Sequence, residues 1–193
     1  MKTMNIVKYT MSLLLVPLVL FGCYANPGRN VSSDKPGYDH YTNKTINVSV
    51  LTPVDWSSDV STGGVYTITS PKPLGAQIYV MRTPVVNFMG EGSLKSTSLE
   101  KFREFRLSQI TVEEIGPELD STIQKSTLAG DDAYELRYSY KSAIDEQKWF
   151  VREIFTVIDG NVYMIQSYTR NNTDPELLKT FEIMKNSYRL LKH

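Results

Sequence analysis

The chain is poor in the residues that most often carry enzyme chemistry. It has one cysteine, Cys23, and two histidines, His40 and His193, among 193 residues. A single cysteine excludes a disulfide within the chain. His40 stands in a polar stretch and His193 is the last residue, so neither is placed for a triad or a zinc site, which need tightly held groups. Charge of one sign is missing too: 21 Lys and Arg balance 21 Asp and Glu. Setting aside Lys2 and Lys8 near the start leaves 19 basic residues against 21 acidic, a net of −2, which excludes the basic footprint of a nucleic-acid-binding domain. Gly63-Gly64 and Gly90-Glu91-Gly92 lack the Lys-Ser/Thr that completes a phosphate loop, so they signal flexibility.

What the first residues do contain is a leader. Lys2 and Lys8 form a positive n-region ahead of the apolar Met11–Gly22, whose 12 residues fall short of the roughly 20 needed to span a bilayer. The run ends Leu20-Phe21-Gly22-Cys23, which resembles the lipobox of prokaryotic lipoproteins, where the cysteine is acylated and becomes the mature N-terminus. Residues 1–22 are then a lipoprotein signal peptide, and the protein is expected on the extracytoplasmic face of a membrane, held by lipid on Cys23. Two or three acyl chains anchor stably where one does not. A plain cleaved signal peptide or an uncleaved anchor, with Cys23 incidental, is the alternative. Residues 23–40, rich in Pro, Gly, Ser and Asn without periodicity, read as a flexible tether, and residues 41–193 as one folded domain.

The strongest patterning lies between Leu128 and Arg170. In Ala133–Lys141, Tyr134, Leu136, Tyr138 and Tyr140 take one face, and Glu135, Arg137, Ser139 and Lys141 take a wetter one. Two apolar runs then flank Asp159-Gly160, the pair that a type I′ hairpin turn favours. A two-residue loop there sets Val157 against Val162, Phe155 against Met164, Val151 against Tyr168, Ile154 against Ile165 and Thr156 against Tyr163. Both faces carry apolar pairs, so the hairpin is expected to be central and covered on both sides.

Ahead of it, Ile46–Leu51, Val65–Thr69 and Ala76–Pro84 read as strands and Ser121–Leu128 as a weak one. Thr52–Trp56 and Ser70–Gly75 read as turns, and Ser57–Gly64 and Met89–Ser96 as loops. Thr97 and Glu100 have capping-box spacing before a helix with Leu99, Phe102 and Phe105 inside and Lys101, Glu104 and Arg106 outside. A last helix opens with Asp174 as N-cap and Pro175 at its first position, and carries Leu177, Phe181, Met184, Tyr188 and Leu191 as a packing stripe. The fold class is α+β: an antiparallel sheet of about six to seven strands sandwiched by helices.

The order of these elements resembles the PsbP-like family, named for an extrinsic lumenal subunit of photosystem II. The resemblance runs from about Tyr41 to Leu191. It rests on Tyr41-Thr42-Asn43-Lys44-Thr45, Thr52-Pro53-Val54-Asp55-Trp56, Thr97-Ser98-Leu99-Glu100-Lys101-Phe102, Leu128-Ala129-Gly130-Asp131-Asp132-Ala133-Tyr134, and the Asp159-Gly160 hairpin running on to Asp174. It implies an antiparallel sheet between helices and, for cyanobacterial members, a lipoprotein. As partner it implies photosystem II, with Ca²⁺ or Mn²⁺ retention as the effect; no cofactor is read from the residues themselves. The same fold serves a Ran-binding nuclear protein and bacterial envelope lipoproteins, so the likeness speaks for fold more than for role.

The remaining candidates are weak as chemistry. Asp131-Asp132 and Glu113-Glu114 are adjacent acids whose side chains diverge on a strand or turn, so each needs a distant acid to hold a cation. Trp56 is expected in the core. Asn30, Asn43, Asn47 and Asn171 head Asn-x-Ser/Thr sequons. The sequence points to a non-catalytic binding or assembly module docking a membrane complex, with no catalytic or metal residue assigned. The alternative is an envelope hydrolase or metal-dependent enzyme with a site built from loops such as Met89–Ser96.

Overall fold

The computed structural model describes residues 28–61, 64–72, 76–90, 97–112, 123–142 and 146–191. In chain order the elements are β1 (Arg29–Ser32), β2 (Tyr38–Asn43), β3 (Val48–Pro53), β4 (Ser57–Val60), β5 (Tyr66–Thr69), β6 (Gln77–Pro84), α1 (Val86–Met89) and α2 (Leu99–Val112). They continue with β7 (Gln124–Leu128), β8 (Asp131–Lys141), β9 (Lys148–Ile158), β10 (Asn161–Thr169), α3 (Pro175–Ser187) and β11 (Arg189–Leu190).

The strands form two antiparallel sheets, one of seven strands in the order β4-β5-β6-β10-β9-β8-β7 and one of four in the order β1-β2-β3-β11. The Asp159-Gly160 turn has both residues at positive φ, 49° and 71°. It sets the β9–β10 register as expected: Val162 opposite Val157, Met164 opposite Phe155, Ile165 opposite Ile154 and Tyr168 opposite Val151. Ala129 and Gly130, φ 59° and 95°, make the same kind of two-residue turn between β7 and β8.

The two faces of the large sheet carry separate cores. On one, α2 lays Phe102 and Ile110 over Met81, Tyr134, Leu136, Phe155, Val162 and Met164. Phe102 is fully buried and meets Phe88 and Phe155 edge to face at 5.3 and 5.2 Å. On the other, α3 and the four-stranded sheet cover Tyr66, Ile68, Ile78, Val80, Ile154, Tyr163 and Ile165. The α3 stripe buries Leu177, Phe181, Met184 and, just past the helix, Tyr188. Leu177, Phe181 and Met184 each contribute about 1.5–3 kcal/mol by leaving water. Asp174 caps α3 as expected, its carboxylate accepting from the Glu176 and Leu177 amides at 2.9 and 3.4 Å, with Pro175 at the first position.

Several expectations are corrected. The stretch read as a tether contains β1 and the start of β2, with Arg29 opposite Thr42 and Val31 opposite His40. Main-chain pairing needs no apolar alternation at a sheet edge, so composition did not reveal it. Ser57–Val60 is edge strand β4, not loop, for the same reason. The strand after Asn47 runs through Pro53 rather than stopping at Leu51; Pro53 lies at its end, opposite Tyr38, where a missing N–H is tolerated. The second helix is capped by Ser98, whose hydroxyl accepts from the Lys101 amide at 3.3 Å, one residue later than the Thr97 spacing suggested. The four-stranded sheet and α1 were not anticipated. Trp56 is buried as expected, at 6% exposure.

Candidate functional site

The side chains that alternation puts on the wetter face of β8 are not all wet. Glu135 is 5% exposed, because α3 crosses that face and brings its own charges with it. Directly across β8 and β9, Arg137 faces Arg152. Like charges in opposite register repel, and Glu135 is placed to offset this. Its Oε1 accepts from Arg137 Nε at 2.7 Å and from Arg152 Nε at 2.8 Å. From α3, Glu182 accepts from Arg152 Nη2 at 2.6 Å, and Lys185 stands 3.8 Å from Glu135 Oε2. The Arg152 guanidinium also lies 4.5 Å over the Phe181 ring. Three cations therefore meet two carboxylates.

Burial alone would raise the Glu135 carboxyl, but the hydrogen bonds and charges of Arg152 and Arg137 outweigh it and hold the group below its ordinary range. For Arg152 burial again opposes the charged form, and Glu135 and Glu182 reverse the effect. Both ends of the network stay ionised at neutral pH.

Beside this network a half-open groove of about 400 Å³ runs between the sheet and the first turns of α3. Its floor comes from Arg137, Ser139, Phe150, Arg152, Ser167 and Thr169, and its walls from Lys148, Asn172, Leu177, Leu178 and Phe181. Leu178 is 41% exposed, one of three large apolar side chains left open among the described residues. The volume lies in the range of small-ligand and peptide-anchor pockets. The donor set is wrong for Ca²⁺ or Mn²⁺, which take several carboxylate or carbonyl oxygens. Among the described residues the charged side chains that line the groove are basic, and Arg137 and Arg152 favour an anion.

The opposite face holds a second charge pair of different character. Arg106 of α2 makes two parallel bonds to Glu153 of β9, Nε to Oε1 at 3.1 Å and Nη2 to Oε2 at 2.9 Å. Gln166 adds a third at 2.8 Å. Glu153 is fully buried and the Arg106 side chain only 16% exposed, so Arg106 is not an outward residue of the helix as its spacing suggested. Burial raises the hydroxyls of Tyr138 and Tyr168 well above the usual tyrosine range, and the nearby Glu153 charge adds to this. They stay neutral around the pair.

The residues singled out from sequence do not assemble. His40 is exposed on β2, opposite Val31 and Leu51. Asp131 and Asp132 are exposed at the start of β8, opposite Leu128 and Thr127. Among the described residues no three His, Cys, Asp or Glu side chains converge. Asn43 is 1% exposed, donating to the Tyr41 hydroxyl at 2.8 Å and accepting from the Thr45 amide at 2.8 Å, and Asn47 is buried in its turn. Both sequon asparagines are buried, whereas Asn30 and Asn171 are exposed. Cys23, His193, Glu113-Glu114, Gly63, Glu91-Gly92 and most of the Met89–Ser96 loop lie outside the described residues. Among the described residues no helix is long and apolar enough to cross a membrane.

At the level of sequence, no family model matches the chain and no curated protein does either. Solved structures do match. Cyanobacterial PsbP (CyanoP) from Synechocystis sp. PCC 6803 aligns with a TM-score of 0.58 at 12% identity over 89% of this chain and 98% of its own. LpqN of Mycobacterium tuberculosis, involved in cell envelope biogenesis, aligns with a TM-score of 0.57 at 16% identity over 86% of this chain and 91% of its own. A Pseudomonas aeruginosa protein of unknown function, PA94, aligns with a TM-score of 0.51 at 14% identity over 75% and 91%. The seven-stranded antiparallel sheet between helices is thus the architecture expected from the sequence, and the chain has the PsbP-like α+β fold.

Proposed function

We propose that this protein is a non-catalytic binding module of the extracytoplasmic membrane face, tethered through lipid on Cys23, that docks a membrane complex through its α3-side groove. The observation that carries the reading is the groove itself: guanidinium groups fixed by Glu135 and Glu182 beside an open apolar wall at Leu178. Such an arrangement fixes and orients a ligand, because Arg137 and Arg152 are themselves held in place by carboxylate partners. The likeness to an envelope-biogenesis protein and to PsbP agrees with a role outside the cytoplasm. By that resemblance the complex is photosystem II in a photosynthetic source and an envelope assembly in any other.

The test is in-cell photocrosslinking from a reactive amino acid placed at Leu178, with mass spectrometry of what is captured. A defined membrane-protein partner is expected, one that is lost when Cys23→Ala frees the protein from membranes. Absence of any partner from that position would sink the docking reading. Unchanged membrane retention of Cys23→Ala would replace the lipid tether with an uncleaved helix.

A further inference from the structure

We propose that the α3-side groove captures the C-terminal carboxylate of a partner chain whose last residue is apolar. This rests on the reading of the groove as the docking site and names the chemistry that the site takes.

The first argument is charge. Placing Arg137 directly opposite Arg152 on neighbouring strands is unfavourable, and one carboxylate oxygen of Glu135 is shared between them. Counting Lys185 and Glu182, the cluster keeps, among the described residues, one positive charge more than its carboxylates neutralise. The described ion pairs engage Arg152 through Nε and Nη2, and its Nη1 takes part in none of them. Arg137 has 44% of its side chain exposed at the groove, so a bound anion meets one guanidinium fixed from behind and one reachable from water. Carboxylates suit that pairing because a guanidinium offers its donors in a planar fork.

The second argument is shape. The cationic floor lies within one small cavity with Phe150, Leu177, Leu178 and Phe181, so charge and apolar contact must come from adjacent atoms of one ligand. About 400 Å³ holds one or two side chains and their backbone, not a folded element. A chain end satisfies this most economically: its carboxylate and its last side chain leave the same Cα. Ser167 and Thr169 on the floor already donate to the Arg152 and Asn171 carbonyls, so the guanidinium groups are the donors that meet the ligand. Capture of a terminal carboxylate by fixed donors is a recurring recognition mode.

The test uses the full chain in a non-ionic detergent, titrated calorimetrically with acetyl-Ala-Ala-Leu as the free acid, the same peptide as its amide, acetyl-Ala-Asp-Leu-amide, and inorganic phosphate. The free acid is expected to bind about tenfold more tightly than the amide, the usual worth of a charge-assisted hydrogen bond. Arg137→Gln should abolish that preference and Leu178→Glu should abolish binding. Both positions are exposed, and an unchanged melting temperature shows that neither has unfolded the domain. Equal binding of acid and amide, or full binding by Arg137→Gln, overturns the proposal. So does a preference for the internal aspartate peptide, which marks an acidic segment, or for phosphate, which marks a soluble-anion site. Crosslinking from position 178 separates the two levels of the argument. A partner captured without peptide selectivity leaves docking intact and removes the chain-end chemistry; selective peptide binding without any captured partner does the reverse.

Discussion

The two faces of the seven-stranded sheet hold the same chemical pairing, arginine with glutamate, and use it differently. Under α2 the pair is closed: Arg106 and Glu153 bond twice, Gln166 fills a remaining acceptor site, and raised, neutral tyrosines surround them. Under α3 the network is open, with cations in excess, one arginine half exposed and a cavity beside it. A buried pair that balances to zero serves the fold alone, since nothing in it is left for a ligand. A network that does not balance invites an outside anion. The difference between the faces locates the site more sharply than any single residue does.

The largest expected effect breaks the closed face. Glu153→Leu strands the Arg106 charge and should cost about 3–5 kcal/mol, read as a fall in the urea midpoint. The double variant Arg106→Met with Glu153→Leu should recover most of that loss, because a well-packed apolar pair replaces a buried ion pair at little cost. A double variant as unstable as the single one would mean that the pair holds α2 in place by geometry that methyl groups do not supply.

On the open face the corresponding change is milder. Glu135→Gln should cost about 1–3 kcal/mol, since Arg152 keeps Glu182 while Arg137 and Arg152 lose the negative charge on the oxygen they share. The same group gives a pH signature. Its carboxyl is depressed in the folded protein, so its contribution is fully present above the ordinary glutamate value of about 4.5 and is lost as pH falls through the lower folded value. Wild type should lose stability over that acid window more steeply than Glu135→Gln. Identical acid profiles would show that the network adds nothing in solution.

A change that touches neither network calibrates these two. Asp174→Ala removes the α3 cap and the Lys72 contact at 3.2 Å, and should cost about 1 kcal/mol by thermal melting. A loss well above that would mean that α3 docking depends on its first turn, and the groove wall at Leu177 and Leu178 with it.

Legibility in the sequence followed the length of interaction. Asp159-Gly160 fixed a register locally, and five cross-strand pairs came out as read. Asp174-Pro175 and the stripe to Tyr188 placed α3 in the same way. The open network was hidden because it joins residues far apart in sequence. Arg137 meets Arg152 only once the β8–β9 register is known, and no two-residue turn sets that register as Asp159-Gly160 sets the next. Glu182 and Lys185 are ordinary exposed-looking positions on a helix until the helix is laid across Glu135. The closed pair was misread for a related cause: Arg106 follows the outward spacing of α2, yet its long side chain reaches back to the sheet, which periodicity does not see. The signal that remained was a glutamate in the middle of an apolar strand, Glu153, which a central hairpin tolerates only with a buried partner.

The smallest expected effect on stability is the most informative about function. Arg137→Gln removes a side chain that is 44% exposed and bonded to a carboxylate that Arg152 still engages. Surface changes of that kind stay within about 0.5 kcal/mol. Relief of the Arg137–Arg152 repulsion also offsets part of the lost bond to Glu135. A residue kept for the fold would show its value in the melting curve; a residue kept for a ligand shows it only when the ligand is present. An unchanged melting temperature together with lost carboxylate selectivity would assign Arg137 to binding. A drop of 2 kcal/mol or more, about the scale of removing a buried partner, would return it to the fold and make the two faces of the sheet alike.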